Sequence, residues 1–123
     1  MQQHYKHEKP FLGLERLDCF FKKFKTPFKS TKIITVAGTN GKGETCFALE
    51  SILLKRGYKT ALWTSPHISS VAERFRFCGD QVEADELLVL FKELGKKSLS
   101  YYEFLFLTFC ELCVIKKVDI IVF

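Results

Sequence analysis

A glycine-rich turn with one lysine separates a β-branched segment from a helical pattern in residues 34–45, which read ITVAGTNGKGET. The glycines permit backbone angles closed to other residues, so backbone N–H groups can approach an anion closely. A helix that begins near Lys42 would point the positive end of its dipole at the same place, and the lysine would add a mobile charge. This chemistry is phosphate binding. The alternative is a tight turn capped by a surface lysine.

The turn departs from the strict Walker A pattern on both sides of its centre. Val36 stands where that pattern has its first glycine, and Gly43 and Glu44 follow the lysine in place of serine or threonine. A carboxylate at Glu44 suits the helix dipole, but it repels phosphate oxygens at short range. We therefore predict a variant phosphate loop that Glu44 weakens, with Thr45 as an imperfect substitute for the missing hydroxyl.

Composition narrows the class of protein. The chain has 123 residues, 47% of them hydrophobic, which suits one small globular domain. Residues 1–8 lack the apolar core of a secretory signal and no apolar run could span a bilayer, so we expect a cytoplasmic protein without a membrane partner.

Five scattered cysteines fit a reducing compartment better than a disulfide framework. The net charge of +5 comes without a nucleic-acid signature, which favours a solvated basic face or attraction of a small anion over nucleic-acid binding.

Two residue pairs have the spacing of metal ligands. Cys110 and Cys113 form a CxxC, and the alternatives are zinc or redox chemistry and two small buried hydrophobic residues on a helix. Their apolar surroundings, without a second ligand pair, favour the buried helix. His4 and His7 lie three residues apart in a polar terminus, where a frayed end is favoured over a metal site.

Hydrophobic spacing predicts the elements around the loop. Helical periodicity indicates helices over residues 14–25, 42–56, 85–94 and 100–117, the last opened by a capping box at Ser100 and Glu103. Apolar runs indicate strands over residues 32–37, 59–64 and 118–123, and alternation over residues 73–82 indicates a short hairpin or an extended arm. This is an α/β pattern with a mostly parallel sheet. Since ligands bind at the carboxyl ends of parallel strands, Ala37, Thr64 and Phe123 are expected to converge on the phosphate.

Three motifs occur in a fixed order along the chain: GTNGKG at 38–43, TSPH at 64–67 and ER at 73–74. Together with residues 12–16, 49–53, 57–59 and 99–104, they make the chain resemble the folylpolyglutamate synthase and dihydrofolate synthase family, relatives of the Mur ligases, over nearly its whole length. The resemblance implies a P-loop, Rossmann-like, three-layer fold. It also implies an enzyme that uses ATP and Mg²⁺ to phosphorylate a carboxylate of dihydropteroate or a folate, after which the amine of L-glutamate displaces phosphate. Residues 99–104 look more like the bifunctional bacterial enzymes, but the two activities are not separated by the sequence.

The resemblance assigns roles to individual residues. The ATP phosphates would be bound by Thr39, Asn40, Gly41, Lys42 and Gly43. Lys42 would also be catalytic, because it would neutralise the transferring phosphoryl group together with Mg²⁺, which Ser65 would ligate. The pterin pocket would be lined by Pro10, Phe11, Leu12, Ser100, Tyr101, Tyr102 and Glu103. The alternative for the aromatic residues among these is a place in the core.

The loop after the second strand carries two further expectations. His67 is expected to fix the loop by a hydrogen bond and not to serve as a general base. Glu73 and Arg74 either form an ion pair that shapes the loop or contact a ligand.

By the same resemblance, residues 1–123 form the N-terminal portion of a Mur ligase ATPase domain, with the remainder of that domain and the C-terminal domain absent. Further metal ligands of the family then fall outside the sequence. We expect this chain to be a monomer that does not catalyse alone. The alternatives are a nonenzymatic remnant that binds nucleotide weakly, an unrelated phosphate-loop kinase or GTPase, and a basic nucleic-acid-binding module.

Overall fold

The computed structural model describes residues 15–95 and 99–123, so the predictions for Pro10, Phe11, Leu12, His4 and His7 lie outside the described residues. Its helices are α1 (Glu15–Phe21), α2 (Lys42–Lys55), α3 (Ala84–Leu94) and α4 (Tyr101–Ile115). Its strands are β1 (Lys32–Ile34), β2 (Thr60–Trp63), β3 (Phe75–Phe77), β4 (Asp80–Gln81) and β5 (Ile120–Val122). Two 3-10 turns, Lys22–Phe24 and Val71–Arg74, follow α1 and precede β3.

The predicted helices are present, and local signals place their ends. The Ser100 backbone N–H donates to Glu103 Oε2 at 2.7 Å, and the Glu103 N–H donates to Ser100 Oγ at 3.4 Å, which confirms the capping box of α4. Gly57 follows α2 with a φ of +82°, a conformation that favours glycine and ends the helix. The first helix is shorter than predicted, because its last residues form a 3-10 turn.

The sheet has the order β1-β5-β2-β3-β4. Strands β1, β5 and β2 are parallel, with Ile121 opposite both Ile33 and Ala61, whereas β3 and β4 continue the sheet as an antiparallel hairpin. The prediction of a parallel β1-α2-β2 unit is therefore correct in direction, and β5 lies between its two strands. The expected hairpin after residue 73 is confirmed.

Alternate residues of the parallel strands face opposite helices. Leu62, Ile120 and Val122 pack with Cys46 of α2 in one buried cluster, whereas Ala61 and Ile121 pack with α3 and α4 in another. Helices thus cover both faces of a mostly parallel sheet, which confirms the three-layer α/β fold. Within residues 15–95 and 99–123, no helix is both long enough and apolar enough to cross a membrane.

Candidate functional site

The phosphate loop connects β1 to α2 and is open to its surroundings. Gly41 is the N-cap of α2 and has a φ of +74°, a left-handed conformation that requires glycine in practice. A Cβ added at Gly41 or Gly43 would meet no heavy atom within 4 Å. Residues 37–45 are all exposed. The predicted bend is therefore not filled by protein atoms, and its backbone N–H groups are accessible to an anion.

Lys42 folds back over this loop. Its Nζ donates a hydrogen bond to the Gly38 carbonyl oxygen at 2.6 Å, which closes the loop into a compact turn. A lysine ammonium has three donors, so two remain for other acceptors. Glu44 lies in the first turn of α2 and places a carboxylate directly after Gly43. The hydroxyl of the next residue, Thr45, donates to the Gly41 carbonyl at 2.8 Å.

A cavity of about 240 Å³ lies where the carboxyl ends of the parallel strands meet. Its lining comes from the ends of β1, β2 and β5 and from the first turns of α2: Thr35, Val36, Lys42, Gly43, Cys46, Trp63, Thr64, Ser65 and Phe123. Hydrogen bonds join two of these ends, since the Val36 N–H donates to the Phe123 carbonyl at 2.7 Å. Thr64 and Phe123 therefore line the cavity beside Lys42 as predicted, whereas the end of β1 contributes Thr35 and Val36 in place of Ala37.

A second cavity, of about 480 Å³, adjoins the first and is walled by aromatic rings. It is lined by Trp63, Ser65, Pro66, Arg74, Tyr102 and Phe106. Ser65 and Trp63 line both cavities. The predicted magnesium residue Ser65 therefore stands between the phosphate loop and the aromatic cavity, and its hydroxyl is the hard oxygen donor that Mg²⁺ prefers. Within residues 15–95 and 99–123, no group of three or more His, Cys, Asp or Glu side chains gathers around a point.

The four residues predicted at the start of α4 divide into two groups. Tyr102 is 65% exposed and lines the aromatic cavity, so it is available as a flat surface for a ring. Ser100 and Glu103 bind each other's backbone N–H groups in the capping box. Tyr101 is 43% exposed and its ring centroid lies 5.5 Å from that of Tyr102. Neither tyrosine is a core residue.

The loop from Ser65 to Arg74 is held by two separate polar contacts. The Glu73 carboxylate accepts the backbone N–H groups of Ile68, Ser69 and Ser70, each at 2.8 Å. These bonds hold the pKa of Glu73 below its usual value because they stabilise the charged form, and the bond from Ile68 contributes most. Arg74 Nε donates to His67 Nδ1 at 2.8 Å, which confirms that His67 fixes the loop.

Of the two alternatives given for Glu73 and Arg74, the ion pair was wrong. The two side chains bind different partners, because the backbone N–H groups of the loop offer Glu73 three donors while His67 offers Arg74 an acceptor. Sequence reasoning also missed Trp63 and Phe106 as cavity residues. Trp63 could have been found as the last strand residue before Thr64, whereas Phe106 depends on how α4 packs.

The CxxC pair is part of the core. Cys110 and Cys113 are 4% and 1% exposed, and both are free thiols. Burial raises the pKa of Cys110 to about 12 and raises that of Cys113 as well, so both sulfurs keep their protons. This confirms the interpretation as small buried residues on a helix.

Comparison with known proteins identifies the family, although no family model matches the chain. The chain is 39% identical over 97 residues to the dihydrofolate synthase/folylpolyglutamate synthase of Escherichia coli strain K12, an alignment covering 76% of this chain and 23% of that protein. Its structure resembles the bifunctional folylpolyglutamate synthase/dihydrofolate synthase of Yersinia pestis complexed with AMPPNP and Mn ion, with a TM-score of 0.84, 36% identity, and coverage of 96% of this chain and 30% of that one. The chain belongs to the folylpolyglutamate synthase/dihydrofolate synthase family.

The family likeness extends to plant proteins. A folylpolyglutamate synthase of Arabidopsis thaliana is 38% identical over 104 residues, which cover 76% of this chain and 17% of that protein. This chain spans about a quarter of the length of the bacterial relatives that it matches. Members of this family are ATP-dependent ligases.

Proposed function

We propose that this chain supplies the phosphate loop and one wall of the substrate cavity of a ligase that adds L-glutamate to dihydropteroate or to a folate. The observation that carries this proposal is the position of Ser65. It lines both the cavity beside Lys42 and the aromatic cavity beside Tyr102, so a nucleotide and an aromatic acid bound there would meet at one residue. Such proximity is what transfer of a phosphoryl group to a carboxylate requires.

The loop residues fit a triphosphate. Exposed backbone N–H groups at Thr39, Asn40, Gly41 and Gly43 would bind phosphate oxygens together with the two remaining donors of Lys42. Ser65 would hold Mg²⁺ through its hydroxyl. A magnesium ion bound there supplies neutralisation of charge on the phosphoryl oxygens.

In the proposed reaction, a carboxylate oxygen attacks the terminal phosphorus of ATP, the bond to ADP breaks, and an acyl phosphate forms. The amine of glutamate then attacks the acyl carbon, loses a proton, and releases phosphate. This chain would contribute positioning and charge to the first step. Tyr102 would stack on the pterin ring. By the family resemblance, Pro10, Phe11, Leu12, Ser100, Tyr101 and Glu103 would also belong to the pterin pocket.

We further propose that the 123 residues alone bind nucleotide as a monomer in the cytoplasm without forming the amide. The relatives with both activities are much longer, since this chain aligns with about a quarter of their length. The free thiols of Cys46, Cys78, Cys110 and Cys113 suit a reducing compartment.

The test is nucleotide-dependent thermal stability of the purified chain. Wild type should unfold at a higher temperature with Mg²⁺ and AMPPNP, since a ligand that binds only the folded state stabilises it. Lys42→Ala should lower the affinity by about tenfold or more, because it removes a charged donor. Lys55→Ala, an exposed lysine in the last turn of the same helix, is the matched control and should bind like wild type. Equal affinity in Lys42→Ala and wild type would contradict the proposal.

A second measurement concerns turnover. Phosphate release is followed with ATP, Mg²⁺, dihydropteroate and glutamate present together. Release above background would contradict the statement that this chain does not complete the reaction alone, while leaving the nucleotide site intact.

A further inference from the structure

A buried arginine, Arg74, lines the aromatic cavity, and no acid among the residues that the structure describes neutralises it. Arg74 is 6% exposed. Within residues 15–95 and 99–123, the acceptor of its hydrogen bonds is His67 Nδ1, at 2.8 Å from Nε, and no carboxylate pairs with it. A guanidinium keeps its charge in proteins, so it cannot escape the cost of burial by losing a proton.

Aromatic rings flank the guanidinium on the cavity side. Arg74 Cζ lies 5.7 Å from the ring centroid of Tyr102 and 5.9 Å from that of Trp63. Such contacts attract a cation, but they leave its N–H groups without acceptors. Since Nε is fixed by His67, the donors that remain are the two terminal nitrogens, which form the fork that binds a carboxylate through two parallel hydrogen bonds.

We propose that Arg74 binds the carboxylate of an aromatic acid in this cavity and holds it beside Ser65. The cavity has what such a ligand needs: rings for its flat part, a buried cation for its charged end, and a shared wall with the cavity beside Lys42. Arg74 is then a specificity-determining residue that selects an acid over an uncharged analogue. It also presents that acid at the side from which a phosphoryl group would arrive. This role deepens the proposed ligase function and rests on it.

The contacts of the loop explain why the arginine stays in place. Glu73, the adjacent acid, is engaged by three backbone N–H groups and therefore does not pair with Arg74. His67 accepts from Nε and so turns the fork in one direction. The two contacts together keep a cation available inside the cavity before any ligand binds.

The test compares an acid with its own amide. Calorimetric titration of the wild-type chain with pteroate and with pteroic carboxamide should give at least about tenfold tighter binding of the acid, because only the acid forms a charged pair. Trp63 is the single tryptophan of the chain and lines this cavity, so quenching of its fluorescence reports that binding occurs there. Equal affinity for the two compounds, or no binding of either, overturns the proposal without any variant.

Variants then assign the preference to the arginine. Arg74→Gln should bind the amide as wild type does and should lose the preference for the acid, whereas Arg74→Lys should keep part of it. Arg56→Gln, an exposed arginine at the end of α2, is the matched control and should keep the full preference. If Arg74→Gln folds, by circular dichroism, and still prefers the acid, the proposal is wrong. If it instead loses AMPPNP affinity alone, Arg74 binds nucleotide phosphate and not substrate carboxylate.

Failure of the proposed carboxylate site can be distinguished from failure of the proposed nucleotide site. A wild-type chain that prefers pteroate over its amide but ignores AMPPNP would retain the carboxylate site and lose the ligase proposal. Binding of AMPPNP without any preference between acid and amide would do the reverse.

Discussion

Helices α2 and α4 cover opposite faces of the same parallel strands, and they are attached in different ways. Helix α4 buries seven of its fifteen residues, including Leu105 and Phe109, within aromatic and aliphatic clusters. Helix α2 buries only Cys46 and Glu50 of its fourteen. The more lightly packed helix is the one that begins at the phosphate loop. The core is thus packed mainly on the α4 face of the sheet, whereas the accessible phosphate loop lies at the start of α2 on the other face.

Helix α2 is attached to the sheet by a buried carboxylate, whereas α4 packs on the sheet through aromatic rings. Glu50 is 1% exposed and accepts from Arg76 Nε at 2.7 Å, from the Gly79 N–H at 3.2 Å and from the Thr60 hydroxyl at 3.3 Å. These donors belong to β2, β3 and the turn before β4. The helix that carries Lys42 is therefore tied to the hairpin by directional bonds, in addition to its apolar contacts around Cys46.

The largest expected effect is on the α4 face. Phe109 is 1% exposed, and its ring lies within 5.3 to 6.5 Å of those of Trp63, Phe75, Phe77 and Phe106. Phe109→Ala should lower the free energy of unfolding by about 3–5 kcal/mol, measured by urea titration, or abolish the cooperative transition. Ile52→Ala on the exposed side of α2 is the control, at about 0.5 kcal/mol or less. Similar losses in both variants would remove the contrast between the faces.

The next effect tests the carboxylate of α2. Glu50→Gln should cost about 2 kcal/mol of unfolding free energy, because the Arg76 guanidinium loses its charged partner but is one-third exposed and can turn to water. It should also weaken AMPPNP binding, as α2 carries the phosphate loop. Glu86→Gln breaks a surface pair with Lys116 at 2.9 Å and should cost about 1 kcal/mol or less with unchanged nucleotide affinity. Equal affinity in both variants would show that Glu50 does not position the loop.

A smaller effect is expected in the loop itself. Glu44→Ser removes a like charge beside the bound phosphates, so it should tighten AMPPNP binding by about fivefold, the effect of roughly 1 kcal/mol of repulsion in water. Stability should hardly change, since Glu44 is exposed. A titration that gives unchanged or weaker affinity would refute the inhibitory role of this carboxylate.

The smallest effect concerns the loop that begins at Ser65, between the two faces. Because the folded-state pKa of Glu73 is lowered from 4.5, its stabilising bonds are complete above that pH and are lost as the pH falls through the lower folded value. Amide exchange at Ile68, Ser69 and Ser70 should then accelerate relative to α4. Glu73→Gln, which does not titrate, should show no such step; a step of equal size there would assign it to another group.

The parts of the fold that follow from local sequence were predictable. The glycine-rich turn, the capping box at Ser100 and the glycine after α2 depend on neighbours in the chain, and each lies where the sequence indicates. The insertion of β5 between β1 and β2 was not predictable in the same way. It depends on which strand edges meet, and an apolar run such as residues 118–123 fits any central position.

The candidate site also has a part that could be predicted from the sequence and a part that could not. The convergence of the strand ends on Lys42 follows from a general rule of parallel sheets, whereas the partners of Arg74 do not. Adjacent residues 73 and 74 looked like a pair, but the backbone N–H groups of the preceding loop compete for Glu73, and such competition becomes visible only when the loop is folded.

The bond from Lys42 to the Gly38 carbonyl has a consequence for how a ligand enters. The Lys42 ammonium already donates to one carbonyl oxygen, so its side chain lies folded over the loop before an anion arrives. An arriving oxyanion can accept from the two ammonium donors that the Gly38 carbonyl leaves free. This bond meets part of the entropic cost of ordering the lysine during folding, so binding of the anion begins from a side chain already placed beside the loop.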